Sequence, residues 1–346
     1  MTKVYQMLGE HGFGSYRAED GAFVRVDAAP EALLTPGFVD IHIHGAFGID
    51  FMSASADDLL VLAKKLRECA YEAFLPTTIT ASSESVRAAL ANLPDHPMIW
   101  GFHLEGPFIS PEFPGAQPPE FIESPAKASP EWDDILADPR LKVVTLAPEV
   151  PQALDLVLKL NRRGVISSMG HTNATFEEAR RGFEFGAHHT THTYNAMRGL
   201  HHREAGTVGY ALHNSDLIGE LIYDRKHVCR EAAALLFDRK SPHAVVAVSD
   251  STAATGLPRG TELTMWGHAC TVLDKEVRLT DSGALAGSAI TLHDAFQNLC
   301  EDFGPETAIR ACCHNPRLAL RVTQPPTLYA EWNFDWELQE LHEIPR

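Results

Sequence analysis

Six side chains of this sequence have the chemistry needed to hold a divalent cation, and each lies in or at the end of a short apolar run. These six are His42, His44, Glu105, His171, His192 and Asp250. Imidazole and carboxylate groups are ordinary protein ligands of zinc, iron and manganese. A cation held by such groups lowers the pKa of bound water from about 15.7 to about 7, which supplies a nucleophile near neutral pH. The residue types therefore predict a metal-dependent hydrolase.

The spacing of His42 and His44 strengthens this prediction, because residues two apart on a strand point to the same side. Asp250 is the candidate proton carrier, since a carboxylate beside the cation can take a proton from water and deliver it to a leaving group. A single histidine at a strand end is more often a structural residue, so the prediction depends on the whole set. His103 is expected to support or pack against the ligands rather than to bind the ion.

Eight runs rich in Val, Ile, Phe and Thr predict the buried parallel strands that would position these side chains. The runs cover residues 38–44, 74–78, 99–105, 143–148, 165–171, 188–195, 217–224 and 244–250. Helical spacing of apolar residues occurs between several of them, at residues 56–71, 84–93, 152–163, 175–186 and 230–238. This alternation favours an α/β fold of the (β/α)8 barrel type over an open sheet, and barrels of this type carry their active sites at the C-terminal ends of the strands.

The two ends of the chain predict a second, smaller unit. Strand-like runs occur at residues 3–7 and 23–26, and residues 327–339 have the pattern of a hairpin. We therefore expect a small β-domain from residues 1–35 and 321–346 and a catalytic barrel from residues 36–320. Proline-rich stretches at 107–119 and 124–130 predict a long loop that forms one wall of the active site.

Composition limits the classes of partner. The 346 residues include 46 Asp and Glu against 29 Lys and Arg, a formal charge of −17, which opposes binding to nucleic acid or to anionic lipid. Apolar runs long enough to span a membrane do not occur, so a cytoplasmic protein is expected. The six cysteines are expected to be reduced thiols rather than zinc ligands or disulfides. An anionic substrate would require a local basic pocket.

Several longer strings resemble those of the N-acetylglucosamine-6-phosphate deacetylase family of the amidohydrolase superfamily. They are PGFVDIHIHG (36–45), HLEGPFISPE (103–112), GHTNATFEEA (170–179), THTYNAM (191–197), REAG (203–206), SDSTAATGLPRG (249–260) and LAGSAITL (285–292). The resemblance implies hydrolysis of the acetamide of an amino-sugar phosphate to the free amine and acetate. It also implies a small-molecule phosphorylated amino sugar as partner and a homodimer as the assembly.

The resemblance assigns roles to individual residues. It implies a principal metal site at Glu105, His171 and His192, and a second ion at His42 and His44 bridged by Glu105 is the alternative to a single ion. Zinc is the expected metal, with iron and manganese as alternatives. Asp250 matches the general acid and base of the family. The positions that contact the sugar phosphate match Asn195, Ala196, Arg203 and His227, and in the family the arginine reaches across a dimer interface.

Two departures from the family pattern leave the substrate open. Gln117 stands where the family has a histidine that holds the acetamide carbonyl, so an uncharged donor is expected there. Arg225 and Lys226 precede His227 where a glycine is usual, and they either add to anion binding or form a solvated charge pair. The alternatives are therefore N-acetylgalactosamine 6-phosphate, another acylamino sugar or a cyclic amide as substrate, or a non-catalytic metal-binding barrel.

Overall fold

A computed structural model of the chain describes residues 3–19 and 22–344. The strands of its first half are β1 (Val4–Gly9), β2 (Gly12–Glu19), β3 (Ala22–Arg25), β4 (Ala32–Pro36), β5 (Phe38–Ile43), β6 (Gly45–Ala46), β7 (Ile49–Asp50), β8 (Tyr71–Thr78), β9 (Phe102–Glu105) and β10 (Leu141–Leu146). Those of its second half are β11 (Ile166–Met169), β12 (His189–Thr190), β13 (Ile218–Ile222), β14 (Val245–Val248), β15 (Glu262–Met265), β16 (His268–Val272), β17 (Glu276–Leu279), β18 (Leu285–Ser288), β19 (Leu328–Trp332) and β20 (Leu338–Glu343).

The α-helices of the described residues lie mostly between barrel strands. They are α1 (Ala56–Glu68), α2 (Ser83–Ala91), α3 (Glu131–Ala137), α4 (Ala153–Arg162), α5 (Phe176–Phe185), α6 (Gly206–His213), α7 (Arg230–Arg239), α8 (Leu292–Phe303), α9 (Pro305–Ile309) and α10 (Asn315–Ala319). All five helices predicted from the sequence are present. Ser55 and Thr175 cap α1 and α5 with the hydrogen bonds of a capping box, and Gly186 ends α5 in a left-handed conformation.

The eight predicted strands form one parallel sheet in the order β5-β8-β9-β10-β11-β12-β13-β14. The two outer strands of this order meet, because the amide of Asp250 donates to the carbonyl of His42 and Ile43 bridges to Ser251. The sheet therefore curls into the predicted (β/α)8 barrel. Aliphatic strand side chains such as Val39, Leu75 and Val248 form an apolar cluster inside the barrel. A larger cluster lies between the strands and the helices.

The chain ends form a separate six-stranded sheet in the order β20-β19-β4-β1-β2-β3, which confirms the small β-domain. Strand β4 pairs with both β1 and β19, so the sheet joins the two ends of the chain directly before the barrel begins. Strand β2 was not predicted. The division at residues 35/36 and 320/321 remains our proposal, and its residues 1, 2, 20, 21, 345 and 346 lie outside the described residues.

One local expectation is wrong, and one sheet was not predicted. Strand β12 holds only two residues, so His192 lies two positions beyond the sixth barrel strand rather than within it. Residues 262–288 fold into a four-stranded antiparallel sheet, β15-β16-β17-β18, which was not predicted from the sequence pattern. Among the described residues, no helix combines the length and apolar character that crossing a lipid bilayer would require.

Candidate active site and metal centre

All six predicted ligands converge at the C-terminal mouth of the barrel, where their ligand atoms fall into two adjoining groups. Glu105, His171 and His192 form the first group. The Nε2 atoms of both histidines lie 3.2–3.3 Å from Oε1 of Glu105 and 3.1 Å from each other. Ligands about 2.0–2.1 Å from a tetrahedrally coordinated ion stand roughly 3.3 Å apart, so these separations fit a shared cation.

The second group joins the His-x-His pair to Asp250. Oδ1 of Asp250 lies 3.4 Å from Nε2 of His42 and 3.3 Å from Nε2 of His44. Glu105 contacts both groups, since its Oε2 lies 3.2 Å from Nε2 of His44 while its Oε1 faces the first group and His42. One carboxylate thus lies between two clusters of ligand atoms.

The tautomers of His44 and His171 direct ring lone pairs into the site, where a cation would be stabilised. The Nδ1 atoms of His44 and His171 donate to the carbonyls of Thr77 and Phe113, at 3.1 Å and 3.0 Å. In a neutral imidazole, the other nitrogen then carries a lone pair. Each of these lone pairs faces an oxygen of Glu105 and the Nε2 atom of a neighbouring histidine, and a lone pair facing a carboxylate oxygen is repelled unless a proton or a cation lies between the atoms.

The pKa values of the site follow from the same crowding. Burial lowers the pKa of His44, but Asp250 and Glu105 outweigh burial and raise it to about 9. Burial raises the pKa of Glu105, yet the surrounding imidazoles hold it well below its usual range. The pKa of Asp250 falls to about 2, because the nearby histidines again outweigh burial. The carboxylates therefore stay ionised and attract a cation.

Three of the six residues leave their strands with a left-handed backbone. His171, His192 and Asp250 have φ of 47°, 30° and 47°, and each lies two residues beyond the end of its strand. Such φ values are uncommon for residues other than glycine, and they cluster at functional sites. The bend at each position directs the side chain into the mouth of the barrel instead of along the strand.

Glu220 is a supporting residue that the sequence prediction missed. It is fully buried within β13, and its Oε2 lies 3.4 Å from Nδ1 of His42 while its Oε1 has no hydrogen-bond partner. A carboxylate on the far nitrogen of a ligand histidine fixes the ring orientation and raises its basicity. The available signal was a lone glutamate inside the apolar run Ile218–Ile222.

A cavity of about 180 Å³ opens above the ligand groups and receives four of the five predicted substrate contacts. Gln117, Asn195, Ala196 and His227 line it. Arg203 does not; it lies exposed on a loop outside the cavity. A larger cavity of 530 Å³ lies between α3 and α4, but it contains none of the ligand residues, so the barrel mouth is the chemically competent site.

Gln117 and His227 are each held by hydrogen bonds to neighbouring residues. Gln117 donates from Nε2 to Oε2 of Glu105 at 2.6 Å, while its Oε1 accepts from the amide of Thr80. His227 lies 2.7 Å from the Asp224 carboxylate through Nδ1, and this contact outweighs burial, so the pKa of His227 is raised. The cavity therefore contains a fixed amide and an imidazole that favours its charged form.

The two departures near His227 have different surroundings. Arg225 pairs with Asp302 at 2.7 Å and with Glu301 at 2.8 Å, away from the cavity. Lys226 is exposed and does not line the cavity. The solvated charge pair, one of the two interpretations left open by the sequence, therefore describes Arg225. The predicted wall formed by the proline-rich loop is present, since Gly115, Ala116 and Gln117 border the cavity.

Known proteins with similar sequences are hydrolases, in agreement with the geometry of the site. The sequence model of the amidohydrolase family matches residues 33–324, which is most of the chain. The chain is 37% identical over 287 residues to an N-acetylglucosamine-6-phosphate deacetylase of Bacillus subtilis, covering 80% of this chain and 72% of the relative. It is 34% identical over 343 residues to an N-acetylgalactosamine-6-phosphate deacetylase of Escherichia coli O157:H7, covering 93% and 90% of the two chains.

Solved structures agree with the fold. The crystal structure of an N-acetylglucosamine-6-phosphate deacetylase from Thermotoga maritima superposes with a TM-score of 0.88 and 29% sequence identity, and the match covers 99% of this chain and 97% of that one. The match includes both the barrel and the sheet formed by the chain ends.

Proposed function

Because this chain belongs to the amidohydrolase family and is a metal-dependent hydrolase, we propose that it removes the acetyl group from N-acetylglucosamine 6-phosphate. The products are glucosamine 6-phosphate and acetate, formed by addition of one water across the amide bond. The observation that carries the proposal is the convergence of six candidate ligand side chains beneath a cavity that His227 also lines. The relatives are named enzymes, so a non-catalytic barrel is set aside.

The first ion belongs to Glu105, His171 and His192. The opposed lone pairs and the ligand separations of 3.1–3.3 Å support this assignment. His42 and His44 would hold a second ion, because these two histidines and Asp250 form an equally close group of ligand atoms, and Glu105 would contribute to both sites. Zinc is the metal we expect, since imidazole nitrogen and carboxylate oxygen suit it, and iron or manganese are the alternatives.

A divalent cation held by these residues would activate a water molecule and polarise the amide carbonyl. Asp250 would take a proton from the attacking water and deliver it to the amide nitrogen, so that the nitrogen leaves as an amine. The low pKa of Asp250 keeps its carboxylate ionised, and only the ionised form can accept the proton. Gln117 keeps Glu105 in place and directs its second amide hydrogen toward the cavity.

The sugar phosphate occupies the part of the cavity that Asn195, Ala196 and His227 line. Asn195 and Ala196 contact the sugar, and the charged imidazole of His227 binds the phosphate by a charge-assisted hydrogen bond. Arg203 completes the phosphate site of a second copy in a homodimer. Its exposure on a loop beside Leu200, which is 59% exposed, supports this role. A cytoplasmic location remains our expectation.

A second sugar has a specific observation in its favour. Of the two relatives compared by sequence alone above, the one that covers the larger share of both chains acts, by its name, on N-acetylgalactosamine 6-phosphate. Both sugars carry the same acetamide and phosphate and differ at one hydroxyl group. The same catalytic groups would therefore serve either substrate.

Acetate release from both sugar phosphates and from the two unphosphorylated sugars tests the proposal. We expect the highest kcat/KM with N-acetylglucosamine 6-phosphate and a loss of at least tenfold without the phosphate, because one charge-assisted hydrogen bond is worth about 1.5–3 kcal/mol. Higher kcat/KM with the galactosamine compound would assign the second sugar. Equal activity on the unphosphorylated sugars would remove the phosphate roles of His227 and Arg203.

A further inference from the structure

The cavity has an apolar wall that none of the ligand or sugar-binding roles uses. Three of its members are large: Ile79, Trp266 and Leu285. Trp266 and Leu285 come from the sheet of residues 262–288, and Ile79 follows β8. An apolar surface beside a reacting amide is suited to an apolar part of the substrate, and the acyl chain is the apolar part of an N-acyl amino sugar.

Trp266 is held in one orientation. It lies at the turn between β15 and β16 with φ of 53°, and its indole Nε1 donates to Oδ2 of Asp50 at 3.0 Å. Its ring meets the ring of His44 edge to face, with centroids 5.2 Å apart. Asp50 is itself fixed, because its other oxygen accepts from the amide of Met52 at 2.8 Å. A rigid indole therefore stands directly beside a ligand histidine.

The indole also lies close to the proton carrier. A Cβ placed on Gly287, whose φ is 64°, would be 3.2 Å from the carbonyl oxygen of Asp250 and 3.8 Å from Cη2 of Trp266. Gly287 thus lies between the indole and the backbone of Asp250. The edge of the indole is therefore at most about 7 Å from the carbonyl oxygen of Asp250, the residue whose side chain we propose as the proton carrier.

The barrel order separates this wall from the sugar contacts. Ile79 follows β8, whereas Asn195 and Ala196 follow β12, which is four strands away in the eight-stranded ring and hence opposite. A substrate whose sugar lies against Asn195 and whose amide lies over the ligand groups extends its acyl group toward the opposite side. That side is formed by Ile79 and Trp266.

We propose that Trp266 is a specificity-determining residue whose indole, fixed by Asp50, limits the length of the acyl group that the enzyme removes. The proposal rests on the amidase activity proposed above. The wall leaves space for a methyl group and excludes longer chains by contact with the six-membered ring of the indole. Trp266 performs no chemistry in this role; it selects acetamides among N-acyl amino sugars of different chain length.

The test compares N-acetyl-, N-propionyl- and N-butyrylglucosamine 6-phosphate as substrates of the metal-loaded enzyme, with release of the free amine as the readout. For the wild type, kcat/KM should fall about tenfold for each added methylene group. In Trp266→Ala, the ratio of butyryl to acetyl kcat/KM should rise at least tenfold. Trp266→Phe, which keeps an aromatic ring but loses the indole hydrogen bond, should give a smaller rise.

Trp336→Ala is the matched control. Trp336 also lies at a hairpin turn with positive φ, but in the small β-domain between β19 and β20, away from the cavity. Its substitution should leave the butyryl-to-acetyl ratio at the wild-type value. Metal content and the midpoint of thermal unfolding are measured for every variant. If Trp266→Ala does not fold, Trp266→Phe and Asp50→Ala, which frees the indole, decide the outcome.

Three results would overturn the inference. An unchanged butyryl-to-acetyl ratio in the folded variants would show that the indole does not limit the acyl group. A uniform loss of kcat/KM for all three chain lengths would place the indole against the sugar instead. Absence of any amine release by the metal-loaded wild type would refute the proposed function and this inference with it, which separates that failure from the first two.

Discussion

At the scale of single residues, the backbone conformation of Asp250 sets the position of its carboxylate. The carboxylate lies within 3.4 Å of both histidines of the His-x-His pair, and in the role that we propose it also reaches the leaving nitrogen of the substrate. Its left-handed backbone makes this placement possible, since it turns the carboxylate away from the strand direction. The charge of this carboxylate, more than its bulk, is what the reaction requires.

Asp250→Asn should lower kcat by about 10²–10⁴-fold, because a neutral amide cannot accept and return the proton. The ion at Glu105, His171 and His192 should remain, since none of these ligands changes. Steady-state kinetics together with metal analysis of the purified variant measure both effects. A kcat near that of the wild type would exclude Asp250 as the proton carrier.

The pKa of His227 leads to a pH dependence of substrate binding. Contact with Asp224 raises its pKa, so the cationic form, which we propose binds the phosphate, persists to higher pH than in a free histidine and is lost as the pH rises through the raised pKa. We expect KM for the phosphorylated substrate to increase about tenfold as the pH rises above about 7 and through this pKa. Substrate charge stays constant over this range, because the second phosphate pKa is about 6.

His227→Gln provides the comparison. The variant should show the high KM already at about pH 7, with no further rise. The unphosphorylated sugar should show no such dependence with either protein. An equal rise of KM with pH in the wild type and the variant would mean that another group titrates.

The ligand residues could be predicted from sequence because each is a histidine or carboxylate at the end of an apolar run, where a barrel has its active site. Glu220 carried a weaker signal, a charge inside such a run. Trp266 carried none. Its place beside His44 depends on how the sheet of residues 262–288 folds back over the barrel, and no local pattern encodes that contact.

At the scale of elements, the short helices after the barrel strands hold the loops that carry the ligands. Helix α5 begins five residues after His171, and its N-cap Thr175 forms a complete capping box. The Thr175 hydroxyl accepts from the amide of Glu178 at 3.2 Å, and the Glu178 carboxylate accepts from the amide of Thr175 at 2.9 Å. The cap fixes where the helix starts, and therefore the length of the loop that follows His171.

Thr175→Ala should lower the free energy of unfolding by about 1 kcal/mol, because one N-terminal amide of α5 loses its acceptor. Urea unfolding measures this, and kcat should stay close to the wild-type value since Thr175 does not line the cavity. Thr323→Ala, in an exposed segment, is the control and should change stability by less than about 0.5 kcal/mol. Equal effects of the two substitutions would contradict the capping argument.

Strand and helix periodicity predicted the barrel elements well because most of them are fully buried runs or amphipathic helices. The sheet of residues 262–288 escaped prediction because its strands have four or five residues and are partly exposed, as in the pattern of β15, of which only Met265 is buried. Strand β12 was overestimated because the apolar and threonine-rich run continues into the loop that carries His192.

At the scale of the whole molecule, the buried carboxylate of Glu72 connects the barrel to the segment that enters the small β-domain. Arg317 in α10 pairs with Glu72 in β8 at 2.7 Å, and both side chains are at least 92% buried. The same carboxylate accepts from the amide and the hydroxyl group of Thr327, which directly precedes β19. Barrel strand, C-terminal helix and end sheet therefore meet at one carboxylate.

Glu72→Gln should lower the free energy of unfolding by about 3 kcal/mol, because Arg317 would keep a buried charge without its partner. Urea unfolding followed by tryptophan fluorescence measures the loss. The double variant Glu72→Met/Arg317→Met should recover part of it, since removal of both charges leaves no unpaired one. A single variant as stable as the wild type would mean that the pair does not hold the two units together.

The sequence predicted only that short strands at the two ends of the chain would pair in one small β-domain. The pairing itself, β4 with β19 across almost 300 residues, follows from the closure of the barrel, which brings the two ends of residues 36–320 close together. Such long-range pairing is set by the complete fold rather than by local sequence, so neither its order nor its register could be foreseen.

Metal dependence of acetate release tests the central claim most directly. The purified protein is freed of metal with a chelator, returned to defined equivalents of zinc, and assayed for acetate from N-acetylglucosamine 6-phosphate while bound metal per chain is counted. We predict that the metal-free protein is inactive and that activity returns in proportion to bound ion, reaching its limit at one or two ions per chain. Full activity without metal, or no acetate from the fully loaded protein, would contradict the account.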